Sequence, residues 1–209
     1  MKTTQELILA VEEADSAPKL VRAVAELAAT ESVEAIPTLI RVLGFNNPGA
    51  AVAAVDGLMA VGEPAVVPLL EKLDGYNYGA RAWAVRALSG IGDPRGLDVL
   101  LEAAASDFAL SVRRAAARGL GAIRWEDLPP EASAPAKVRT LKTLLSVSED
   151  PEWIVRYAAV VGLEGLASSE AEKPDWFQSV LERLGGMSDR DETLAVSARA
   201  RWAKQKLAA

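Results

Sequence analysis

Residues 33–62, VEAIPTLIRVLGFNNPGAAVAAVDGLMAVG, run directly into residues 63–92, EPAVVPLLEKLDGYNYGARAWAVRALSGIG, and the two segments align without a gap at an offset of 30. Ten positions are identical: Ala35/Ala65, Leu39/Leu69, Leu43/Leu73, Asn47/Asn77, Gly49/Gly79, Ala50/Ala80, Ala54/Ala84, Val55/Val85, Leu58/Leu88 and Gly62/Gly92. Self-similarity at this period marks a stack of supersecondary units, each too small to bury its apolar face without a neighbour. In each unit the apolar residues recur at helical spacing on either side of a short turn, so the unit reads helix, turn, helix.

The pattern extends in both directions. Residues 93–123 keep paired leucines (Leu100, Leu101) and the run Val112-Arg113-Arg114-Ala115-Ala116, and residues 136–168 repeat it as Val155-Arg156-Tyr157-Ala158-Ala159. A capping box, Thr3-Thr4-Gln5-Glu6, opens a pair over residues 3–30. A last pair covers residues 175–207, its helices expected at Asp175–Leu184 and Glu192–Leu207. Residues 124–135, with Pro129-Pro130, read as a loop insertion. Pro37 and Pro68 are expected to bend their helices, and Gly62, Gly92 and Gly121 to form left-handed caps. The prediction is an all-α fold, a single α-solenoid of HEAT-like helix pairs over residues 1–209.

Composition narrows the chemistry. The chain has no cysteine and no histidine. Disulfides, thiolate nucleophiles, zinc ribbons and His-based triads are therefore excluded, and no metal site is expected. A net charge of −6 argues against nucleic acid, whose binders cluster Lys and Arg. Residues 1–15 form an acidic amphipathic start without the layout of a signal peptide. No stretch approaches the ~18 apolar residues of a spanning helix, so a cytoplasmic protein away from membranes is expected.

Several residues stand out, each with two readings. Arg81, Arg113 and Arg156 recur at the start of second helices, as a ladder to acidic residues such as Asp107 and Asp150 or as carboxylate-gripping forks. Arg114 doubles the charge in one unit only. Tyr76, Asn77 and Tyr78 crowd one turn, and Trp83 stands where the preceding unit has Ala53. That tryptophan either fills a groove or faces a ligand. Phe45, Phe108 and Trp153 place an aromatic at successive turns, either sealing them or forming a ridge for a partner.

The stretch from Gly44 to Ala84, with its NYGARAW string at residues 77–83, and the DFALSVRRAAA string at residues 107–117 resemble the F subunits of the E/F-type phycobilin lyases. The similarity spans nearly the whole chain. It implies a phycobilisome-assembly enzyme, active only with an E-type partner subunit. Together they would bind phycocyanobilin and join it by a thioether to a cysteine of the phycocyanin α subunit. The bilin is then substrate, and no intrinsic cofactor is implied.

With that resemblance, Tyr76, Asn77, Tyr78, Arg81, Trp83, Arg113 and Arg114 become candidate bilin-binding residues. Phe45, Phe108 and Trp153 become candidate partner contacts. Asp107 becomes the candidate proton donor, against a plainer role capping its turn or pairing with Arg81. The composition suits such work, because the acceptor brings the thiol and the lyase supplies orientation, worth on the order of several kcal/mol. Lyase-isomerases of the phycoviolobilin branch carry a His-Cys motif that this chain lacks, so isomerisation is not expected. The rival reading is a non-enzymatic HEAT scaffold for protein partners. A HEAT-fold hydroxylase fails for want of histidine, and a DNA glycosylase on such a scaffold for want of positive charge.

Overall fold

The computed structural model describes residues 2–73, 78–170 and 172–209, the side chain of Tyr78 excepted. Among the described residues there are twelve α-helices and no strand. They are α1 (Thr4–Glu12), α2 (Ala17–Ala28), α3 (Ile36–Val42), α4 (Pro48–Val61), α5 (Val66–Lys72) and α6 (Tyr78–Ile91), then α7 (Leu97–Ser106), α8 (Leu110–Leu120), α9 (Pro130–Val147), α10 (Trp153–Ser168), α11 (Phe177–Arg190) and α12 (Leu194–Ala208). The chain divides into two compact units, Met1–Ile91 and Gly92–Ala209, a division that falls at the junction of two repeats.

In the first unit the second helices α2, α4 and α6 touch in turn, and α3 touches α5. In the second unit α8, α10 and α12 touch in turn, and α7 touches α9. Each unit is thus two layers of helices with leucines between them. Leu27, Leu39, Leu58 and Leu69 are fully buried in the first, and Leu100, Leu120, Leu144, Leu163 and Leu184 in the second. Each contributes roughly 1.5–3 kcal/mol on burial, which a lone helix pair would forgo.

The capping box forms as expected: Glu6 N–H donates to Thr3 Oγ1 at 3.2 Å and Thr3 N–H to Glu6 Oε2 at 2.7 Å. The prolines act differently from the expectation. Val33–Ala35 and Glu63–Ala65 form 3-10 turns, and α3 and α5 begin anew at Ile36 and Val66. Pro37 and Pro68 therefore fall in the first turns of fresh helices, where backbone N–H groups have no helical acceptor.

Residues 124–135 are not one loop. Trp125–Asp127 is a 3-10 turn, and α9 starts at Pro130 with Pro135 inside it. Pro130 takes the first helical position, where its fixed φ is favourable. Pro135 then costs a single backbone bond near the helix start, and the twelve further residues of helix absorb that loss. Helix α11 also runs beyond the expected end at Leu184. Gly185 lies inside it, where an added Cβ would meet only the flexible end of Lys204, at 2.9 Å.

Gly62 and Gly92 adopt positive φ, 74° and 70°, as expected. Gly121 does not, with φ −84°. Its small size is what matters, since a Cβ would lie 2.6 Å from the Gly162 carbonyl oxygen.

Candidate functional site

The geometry separates the arginines. Arg113 Nε and Nη2 donate to the two oxygens of Asp150 at 2.8 and 3.2 Å, and Nη1 donates to the carbonyls of Asp107 and Phe108 at 2.9 and 3.0 Å. One repeat later Arg156 does the same, with Nε and Nη2 on Asp191 at 2.8 and 3.0 Å and Nη1 on the carbonyls of Asp150 and Pro151. The recurring arginine is therefore a ladder rung: it locks its own turn and grips the aspartate of the next. Asp191 as the second acceptor was not anticipated, although it stands at the same place in its turn as Asp150.

Each of these aspartates also caps its turn. Asp107 Oδ1 accepts from Ala109 N–H at 2.9 Å, Asp150 Oδ1 from Glu152 N–H at 2.8 Å, and Asp191 Oδ1 from Thr193 N–H at 2.9 Å. Burial alone would raise the Asp191 carboxyl, but hydrogen bonds from Arg156 and Thr193 outweigh it and hold that carboxyl below the usual carboxylate range. Asp107 thus sits in a structural turn built to the same plan as its two successors.

Arg114, next in sequence to a rung, points elsewhere. It is exposed and makes no ion pair among the described residues. Arg81 is half-buried in the first unit. Tyr76 and Asn77, with the side chain of Tyr78, lie outside the described residues.

In the first unit a cleft of about 310 Å³ opens between the α3–α4 turn and the start of α6. Leu43, Phe45, Asn46, Pro48, Gly79 and Trp83 are among its walls. Asn47 holds one rim in place: its side chain accepts from Ala50 N–H at 3.1 Å as the cap of α4. Its volume is near the lower end of the ~300–1,000 Å³ typical of small-molecule sites. Trp83 is half-buried here, so it both packs and presents a face. The Arg86 guanidinium, one turn on, lies 5.6 Å from the Trp83 ring centre. Sequence reading missed Arg86, although its i+3 spacing from Trp83 signals a shared helix face.

A second cleft, of about 420 Å³, is lined by Arg156, Arg183 and Arg190 against Glu149, Glu182 and Asp191. Its charges balance, and Arg183 is held by Glu149 at 3.0 Å and by Ser148.

The turn aromatics do not seal their turns. Phe45, Phe108 and Trp153 are 38, 66 and 46 % exposed. Leu110 and Leu194 join them at 43 and 84 %. In the second unit Leu110, Trp153 and Leu194 are the first residues of α8, α10 and α12, so a large exposed apolar residue opens each second helix. That repeat position was the signal that sequence reading overlooked.

The family described as HEAT repeats matches residues 68–164. A phycocyanin alpha phycocyanobilin lyase, CpcF, of Synechocystis sp. (strain ATCC 27184 / PCC 6803 / Kazusa) is 58% identical over 183 residues, 86% of this chain and 86% of that protein. A phycobilisome maturation protein of Synechococcus elongatus is 54% identical over 205 residues, 98% of each. Among solved structures, the complex of CpcE and CpcF of phycocyanin lyase from Nostoc sp. PCC7120 matches with TM-score 0.76 and 51% identity, over 83% of this chain and 99% of that one. A designed armadillo repeat protein, 17% identical with TM-score 0.56 over 98% of this chain and 100% of its own, shares the fold alone. Identity above half over almost the full length, on a stack of HEAT-like helix pairs, establishes that this chain belongs to the F-subunit family of the phycobilin lyases.

Proposed function

We propose that this chain is one subunit of a heterodimeric bilin lyase, which with an E-type partner attaches phycocyanobilin through a thioether to a cysteine of the phycocyanin α subunit. The observation that carries this reading is the identity to lyase F subunits along almost the whole chain. The chemistry is consistent with it. Thiol addition forms one carbon–sulfur bond at the ethylidene group and places one proton on the tetrapyrrole, with no leaving group. The acceptor brings the thiol, the bilin is the electrophile, and a chain without cysteine or histidine contributes binding and orientation. A cytoplasmic reaction is part of this proposal. Among the described residues no single helix is long and apolar enough to cross a membrane.

In the first unit the Phe45–Trp83 cleft is proposed for the bilin rings, with the Tyr76–Tyr78 turn and Arg81 nearby in sequence; in the second unit Arg114 is proposed, on its own account, as a contact for a bilin carboxylate. Phe45 thereby moves from partner contact to ring wall. Arg113 is left to the ladder, since four of its five N–H donors are engaged there. Phe108 and Trp153, with Leu110 and Leu194, are proposed to dock the E-type subunit through apolar contact. Asp107 is read as a turn cap first, and its role as proton donor awaits the Asn variant described below.

Mixing the chain with E-type subunit, phycocyanobilin and apo-α phycocyanin tests the reading. A covalent chromoprotein with bilin on one cysteine is expected, and Arg114→Ala should weaken bilin retention with little loss of stability. Complex formation without any change in bilin absorbance would favour the scaffold reading instead.

A further inference from the structure

We propose that Arg86 and Trp83 form a clamp for a planar, conjugated carboxylic acid, with the acid's ring on the indole face and its carboxylate on the guanidinium. This rests on the bilin-lyase reading and assigns the clamp to one propionate-bearing pyrrole of the bilin. Trp83 lines the open cleft of the first unit with Phe45, and Arg86 lies over its ring at 5.6 Å. The two are three residues apart on α6, hence on one face.

That stacking sets the guanidinium against the ring that walls the cleft. Arg86 is exposed and has no ion pair among the described residues. Its counterpart in the preceding repeat is the exposed Asp56, of opposite charge, while the following repeat keeps an arginine there, Arg118. Trp83 likewise replaces an alanine, Ala53, at that offset. Both differences from the preceding repeat fall on one helical turn, and both supply what such an acid needs: an aromatic face and a planar fork that binds a carboxylate through two parallel hydrogen bonds. The glycine at position 79, one turn before Trp83, is also in the cleft wall and brings no side chain of its own to it. Lysine in place of Arg86 would keep the charge and lose the fork.

The test compares phycocyanobilin with its dimethyl ester, which keeps the conjugated rings and has no carboxylate. Each is titrated by absorbance into the complex of this chain with its E-type partner. The unaltered complex should bind the free acid more tightly than the ester. Arg86→Gln should weaken binding of the free acid about tenfold, the factor for one lost charge-assisted contact, and leave ester binding unchanged. Arg86→Lys should recover part of the difference, and Trp83→Leu should weaken both compounds alike. An Arg86→Gln complex that keeps the full preference for the acid, or that loses acid and ester equally, overturns the clamp while leaving the lyase reading intact if bilin is still attached. Failure of the unaltered complex to bind either compound overturns both.

Discussion

An aspartate that opens a turn and an arginine six residues later recur as Asp107/Arg113 and Asp150/Arg156, and each arginine reaches the aspartate of the following repeat or its equivalent. Such pairs are partly buried, so losing one partner strands the other; Arg156→Ala should cost about 3 kcal/mol in urea unfolding. The same pairing sets an acid limb. Asp191 has a carboxyl held low in the folded chain, so in acid the unfolded state binds more protons and stability rises with pH across that window. Its contribution is complete above the unfolded pKa of ~3.9 and is lost as pH falls through the lower folded value. Asp191→Asn should therefore lower stability at pH 7 and flatten its pH dependence below about pH 4; an unchanged acid limb would place the linkage elsewhere, in Glu164 with Arg199 and Lys206 or in Asp93 with Arg95. For Asp107, the turn role predicts that Ala costs about 1 kcal/mol. Asn should leave single-turnover bilin attachment at its normal rate. A slowing of about 10²-fold at unchanged bilin affinity would instead make Asp107 the proton donor.

At the scale of helices, the second layer of each unit depends on small residues where helices cross. A Cβ on Gly162 would meet the Ala117 carbonyl oxygen and the Leu144 side chain, and one on Gly165 would meet the Gly121 backbone. Two effects compete in Gly162→Ala. Helix propensity gains up to ~1 kcal/mol, whereas pushing backbone apart costs about 1–3 kcal/mol. Backbone cannot swing aside as a side chain does, so net destabilisation is expected in denaturant unfolding followed by circular dichroism. Gly186→Ala is the contrast: its Cβ would meet the flexible end of Arg190, at 2.9 Å, and the change should be neutral or stabilising. Apolar period and capping motifs made the six helix pairs legible in the sequence, because both are local. What escaped was whatever depends on a neighbour. Gly121 reads as a cap and proves to be a crossing point, the helix expected to end at Leu184 runs on to Arg190, and Pro130 reads as loop although it opens a helix.

For the whole chain, the repeat explains the scaffold, and the departures from it carry the work. Arg113 was legible as a ladder residue because it recurs, whereas its unavailability to a ligand required the hydrogen bonds to be seen. Trp83 was legible as an oddity, but its partner Arg86 became visible only when the ring and guanidinium were found stacked. With no cysteine, no histidine and an open cleft near the lower size limit for a ligand site, this chain alone is expected to show little or no ligation and to form a one-to-one complex with its E-type partner, measurable by light scattering. The most direct measurement of the central claim is the time course of covalent bilin incorporation into apo-α phycocyanin, read as bilin fluorescence on the denatured polypeptide, with this chain, the E-type subunit, both, or neither. Attachment at a single cysteine only when both subunits are present is the predicted result; equal attachment by the E-type subunit without this chain would contradict it.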